Sequence, residues 1–197
     1  MVSVTEKLYT IEEFWALPEE MTAGCELIDG RIVKKHIWDG AKLGMTRDMA
    51  IHMQVVRLTW RALDAAVVES GLGEAHAEPT IRVGSNRSRS RRPDIAVIFG
   101  QLPTADDALL NIVPEMAVEV VSANNTAVDM FGKVEEYLAA GVKLVWQMYP
   151  KARTVIAFWV DRTVVFRPGD TITAEPVLTG FACPVTDLFP PPVNSAE

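Results

Sequence analysis

One stretch sets terms for the whole chain: Met116-Ala117-Val118-Glu119-Val120-Val121 follows Pro114 and is apolar at every position but one. A run that short and unalternating reads as a strand buried on both faces, which needs layers above and below it. Thr126 to Ala140 then reads as a helix, closed by Gly141 where a left-handed cap is wanted, and Lys143 to Met148 resumes as strand. That succession predicts a right-handed crossover in a central sheet. Glu119 is the exception in its strand, and burying a carboxylate is costly unless a cation, an ion pair or hydrogen-bond donors compensate it.

The remaining pattern supplies companions for that sheet. Thr10 and Glu13 have the spacing of a capping box, predicting a short helix that ends near Pro18. Cys25 to Ile28 and Arg31 to Val33 flank Asp29-Gly30, a tight hairpin turn that makes Glu26 a strand residue. From Thr46 to Ser70, Met49, Met53, Val56, Trp60, Leu63 and Val67 recur as one face of a long helix, stopped by Gly71 and Gly73. Ala75 to Val83 and Pro93 to Phe99 read as a second hairpin across an arginine-rich loop, with Asp94 at the start of the second strand. Thr154 to Val160, Thr163 to Arg167 and Thr171 to Glu175 read as a meander that extends the sheet antiparallel, and the Pro-rich tail from Pro190 to Glu197 as a terminus.

Length and charge bound the function. A chain of 197 residues suits one domain. No apolar run approaches the roughly 20 residues of a membrane span, and no secretory pattern opens the chain, so the expectation is a soluble, cytoplasmic protein. Cys25 and Cys183 have no metal-ligand spacing and read as ordinary thiols. With 26 acidic against 19 basic side chains, the formal charge of −7 disfavours non-specific adhesion to nucleic acid. Against that average, Arg82, Arg87, Arg89, Arg91 and Arg92 crowd one segment, either a solvated loop tip or a phosphate contact through Arg87, Arg89, Arg91 and Arg92.

Asp94 and Glu119 lie on consecutive predicted strands. If those strands are neighbours, the two carboxylates can meet at one sheet end and take a hard divalent cation, with magnesium the natural candidate and manganese the alternative. The plainer reading pairs each acid with an arginine or a loop. Lys133 falls in the following helix on the face of Asp129 and Tyr137, so it either joins the acids or bridges to Asp129. His36, His52 and His76 lack ligand spacing and read as structural or surface residues, although His52 sits where a site-facing side chain is possible. Tyr137 reads as packing. The chain has no GxSxG elbow, no GxxxxGK[ST] loop and no HExxH pair, which leaves serine hydrolase, P-loop and zincin chemistry without a basis.

In order and spacing, Glu26-Leu27-Ile28-Asp29-Gly30, Arg92-Pro93-Asp94, Val118-Glu119-Val120-Val121-Ser122 and the run from Asp129 through Lys133 to Val142 resemble the Uma2 family of putative restriction endonucleases. Trp146 and Pro150 to Thr154 continue the likeness, which runs from Thr10 to Phe189. The family lies in the PD-(D/E)xK nuclease superfamily. The resemblance implies an α/β (α+β) fold: a restriction-endonuclease-like mixed central sheet flanked by helices, with an N-terminal hairpin and a C-terminal antiparallel meander.

Carried over, Asp94 is the motif aspartate and Glu119 the second acid. Val121 holds the usual lysine position, which Lys133 replaces from the helix. Asp94, Glu119 and the Val120 carbonyl would hold the metal, with Glu26 completing its shell or holding a second ion, for hydrolysis of a nucleic-acid phosphodiester, DNA first, by a homodimer. Ser122-Ala123-Asn124-Asn125 and Met148-Tyr149 depart from a Ser-Pro-Ser loop and a Val-Asp pair. The other function in view, favoured by the acidic charge, is a catalytically silent fold acting as a DNA-binding or dimerisation module.

Overall fold

Thr10 closes its capping box with Glu13 as expected, and α1 (Ile11–Trp15) starts there. In the computed structural model, which describes residues 7–35, 46–83, 87–103 and 111–191, α1 stops short of Pro18 and a second turn, α2 (Glu19–Thr22), leads into the first strand. His36 and positions 192–197 of the tail lie outside the described residues. β1 (Cys25–Ile28) and β2 (Arg31–Lys34) form the expected antiparallel hairpin. Asp29 and Gly30 both have positive φ, 50° and 79°, as that tight turn requires.

Thr46 caps α3 (Arg47–Glu69) by accepting the Met49 N–H. Its fully turned-in residues are His52, Val55, Thr59, Leu63 and Val67, while Met53 is exposed. The buried centre is therefore displaced from the face that the apolar positions alone mark out. Two polar side chains at that centre hid the phase: Thr59 hydroxyl contacts Met148 Sδ at 3.3 Å, and His52 reaches the site described below.

The expected strand from Ala75 to Val83 is two strands in two sheets. β3 (Gly73–Ala77) ends before Glu78, where φ is 49° and the chain turns away. β4 (Ile81–Arg82) and β5 (Ser90–Arg91) then join the first hairpin in a small sheet of order β2-β1-β5-β4. Apolar alternation runs on through buried Ile81 and Val83, so periodicity carries no mark of the change of sheet. The arginine-rich segment is thus partly strand.

β6 (Ile95–Phe99) pairs antiparallel with β3 and with β7 (Met116–Val120), every residue of which is buried. Thr126 caps α4 (Ala127–Ala139), Gly141 turns at φ 104°, and β8 (Leu144–Tyr149) returns parallel to β7. β9 (Thr154–Phe158) and β10 (Thr163–Phe166) extend this mixed sheet antiparallel, in the order β10-β9-β8-β7-β6-β3.

The last part of the meander departs from expectation. β11 (Thr171–Ala174) pairs with β12 (Leu178–Pro184) as a separate ribbon. Burial explains it: Ile172, Leu178 and Phe181, with Val185 and Leu188 of the 3-10 turn Val185–Leu188, pack with α3 over Trp146 on one sheet face. Each such side chain contributes about 1.5–3 kcal/mol when fully removed from water, more than the same residues would gain at an exposed sheet edge. On the opposite face α4 packs through Val134 and Tyr137 against Ala117 and Val145, and Ile81 and Val83 of the small sheet join them.

Candidate active site

Strand parity brings Glu119 into the site. Val118 and Val120 belong to the α3 side of the sheet, so Glu119 between them faces α4. Its two oxygens each accept from Lys133 Nζ at 3.1 Å, and Oε1 accepts from the Tyr137 hydroxyl at 2.6 Å. Lys133 and Tyr137 stand one helical turn apart on the buried face of α4. Lys133 therefore turns to the acids, while Asp129 serves the helix start and accepts from Thr126 Oγ1 at 2.6 Å.

Glu26 arrives from the other sheet. Its carboxylate takes Arg91 at 2.9 Å, the Arg92 N–H at 3.1 Å and Lys133 at 3.4 Å, so Lys133 joins β1 to β7. Burial alone would push the Glu26 carboxyl up, but Lys133 and Arg91 beside it hold it below its ordinary range.

Asp94 directly precedes β6 and lies beside β7. Its Oδ2 accepts the Val120 N–H at 2.6 Å, and its Oδ1 accepts from Lys35 Nζ at 2.6 Å. His52 Nε2 lies 3.6 Å from Oδ1, and its Nδ1 is buried without a hydrogen-bond partner. Burial would raise the Asp94 carboxyl, yet Lys35 and His52 outweigh it and hold the group well below the usual carboxylate range. Burial would likewise lower Lys35, but Asp94 and Glu119 push its pKa well above the ordinary lysine value. Tyr137 is raised by burial and by the Glu119 charge, so its hydroxyl stays a donor.

Glu26, Glu119 and Lys133 are thus joined directly, and Asp94 is tied to them through the peptide next to Glu119. The four arginines are engaged by the protein itself: Arg87 with Glu12, Arg89 with Asp29 and Glu136, Arg91 with Glu26 and Glu136, and Arg92 with Glu78. Arg87 has the most exposed side chain of them, at 69%.

Sequence reasoning does not single out Lys35 or Glu136. A lysine at the end of an exposed strand and a glutamate in an amphipathic helix are both ordinary, and only the approach of the two sheets gives them partners. The unusual Ser122–Asn125 loop closes on itself, with Asn125 Oδ1 accepting from the Ser122 N–H and hydroxyl at 2.8 Å each. Tyr149 hydroxyl donates to Gln147 on the same strand, and the Gln147 amide donates to the Met130 carbonyl of α4.

The donors fit a hard divalent cation in kind, since carboxylates and backbone carbonyls are the oxygen ligands such an ion takes. Among the described residues, however, no three Asp, Glu, His or Cys side chains stand grouped to hold an ion. Each acid is instead answered by an ammonium or guanidinium.

Residues 11–186 match the model of the Uma2 family, described as putative restriction endonuclease. The fold is similar to that of a putative nuclease belonging to DUF820 from Anabaena variabilis, with a TM-score of 0.72 and 22% identity over 91% of this chain and 97% of that one. No curated protein matches the sequence. Among the described residues no helix is long and apolar enough to cross a membrane.

Proposed function

This chain belongs to the Uma2 family of putative restriction endonucleases, and from that membership and its buried acids we propose that it is a metal-dependent endonuclease hydrolysing phosphodiester bonds of DNA. The observation that carries the reading is the placement of Asp94, directly before β6, beside Glu119 on the adjacent strand β7, with Lys133 on Glu119 and the Val120 N–H on Asp94. Asp94, Glu119 and the Val120 carbonyl would hold magnesium or manganese, and Glu26 would complete the shell. A bound ion supplies a water of lowered pKa and neutralises charge on the phosphate.

The chain's own side chains do the rest. Lys133 presents a fixed ammonium to charge that develops on the phosphate oxygens, which helps most in the transition state. Tyr137 orients Glu119, and Arg91 orients Glu26 against Glu136. Arg87 is the arginine that a phosphate would take over most cheaply, because its pairing with Glu12 is exposed and worth little.

A second reading, the silent nuclease fold, draws on the net charge of −7 and on carboxylates already paired by the protein. Calorimetric titration of Mg2+ and Mn2+ into the parent chain, Asp94→Ala and Glu119→Ala separates the two, with circular dichroism confirming that each is folded. The metal-dependent reading expects binding by the parent alone and metal-dependent nicking of a supercoiled plasmid. Equal behaviour of the three chains overturns it, and binding without nicking leaves the silent module.

A further inference from the structure

Lys35 follows β2 and places its ammonium on the acid most central to the proposed metal set. Nζ donates to Asp94 Oδ1 at 2.6 Å and to the Arg92 carbonyl at 2.7 Å, and the two side chains of this ion pair are 10% and 2% exposed. Such a pair is not a surface contact screened by water. It also completes a charge balance. The buried carboxylates of Glu26, Asp94 and Glu119 and the half-buried one of Glu136 face Lys35, Arg89, Arg91 and Lys133, with the exposed Asp29 added on Arg89, so the cluster inward of Asp29 offers little net attraction to a dication.

We propose that Lys35 is the resident cation of the Asp94 carboxylate, and that a divalent metal enters this site only by displacing it. The inference rests on the metal-dependent reading above. A magnesium ion sits about 2.1 Å from a carboxylate oxygen, so on Oδ1 it would lie within about 5 Å of Nζ wherever it approached from. At that distance, in a pocket largely closed to water, two like charges repel strongly. Displacement is mechanically simple, because the lysine stem is flexible and its ammonium regains water when it swings out. Lys35 therefore sets the metal concentration at which the site fills and keeps Asp94 neutralised until then. His52, 3.6 Å from the same oxygen with a buried unpartnered Nδ1, stays with Asp94 after the ammonium leaves.

Two measurements test this on the full chain. In calorimetry with Mn2+, Lys35→Met should bind at least about tenfold more tightly than the parent, since the parent must first give up the buried Lys35–Asp94 pair and a close charge pair is worth on the order of a factor of ten or more. Equal affinity in both chains overturns the role of Lys35 and leaves the metal site standing, whereas no binding in either overturns both. The second measurement needs no variant: Lys35 acylation by an amine-reactive ester, read by peptide mass, should quicken about tenfold at saturating Mn2+ and not at matched ionic strength of NaCl. An unchanged Lys35 rate with metal bound shows that the ammonium has not moved, and overturns the inference.

Discussion

Asp94 and Glu26 both keep their charge to lower pH in the folded chain than in the unfolded one. The unfolded chain takes up protons near the ordinary carboxylate pKa of about 4. Their contribution to stability is therefore whole above about pH 4 and is lost as the pH falls through the folded values, by up to about 1.4 kcal/mol per pH unit for each carboxylate. Urea melts taken from about pH 5 down to about pH 2 should show this decline in the parent and a shallower one in Asp94→Asn; identical slopes would remove Asp94 as a source. At this scale the sequence makes Asp94 and Glu119 legible because an acid in an apolar strand requires a compensating partner. The partner itself is not legible: Lys35 lies far from Asp94 along the chain and has nothing unusual about it until the strands are placed. Tyr137, read as packing, is fully buried and also donates to Glu119.

Glycines make the elements testable. A Cβ at Gly73 would stand 2.1 Å from the Ile98 carbonyl oxygen, where β3 runs against β6. Gly73→Ala should therefore cost about 3 kcal/mol in a urea melt as the two strands are forced apart. Gly132 lies inside α4 with nothing within 4 Å of a built Cβ, so Gly132→Ala should stabilise by about 1 kcal/mol. A loss at Gly132 or indifference at Gly73 would contradict the packing described. Elements declared by local chemistry are the legible ones: the capping box at Thr10, the Asp29-Gly30 hairpin, and the buried β7 followed by a capped helix and β8. The division of Ala75 to Val83 between two sheets and the separate β11–β12 ribbon are not legible, because alternation records which face is buried and not which neighbour buries it. The rotation of α3 is not legible for a different reason, since His52 and Thr59 are polar at its buried centre.

The described residues carry one candidate site, whereas the duplex DNA we propose as substrate has two strands to cut. A two-fold homodimer is therefore the assembly we propose, and light scattering coupled to gel filtration should give twice the chain mass at micromolar concentration. A monomeric mass at that concentration removes the dimer. Within the chain, the site lies where two sheets meet. Glu26 belongs to the small sheet and Glu119 to the large one, and Lys133 and Arg91 with Glu136 tie them together. The same handful of bonds both seats one sheet on the other and arranges the carboxylates. Under the proposed function, evolution therefore cannot adjust the site and the joint separately: drift at any of these positions is judged twice, once for architecture and once for chemistry.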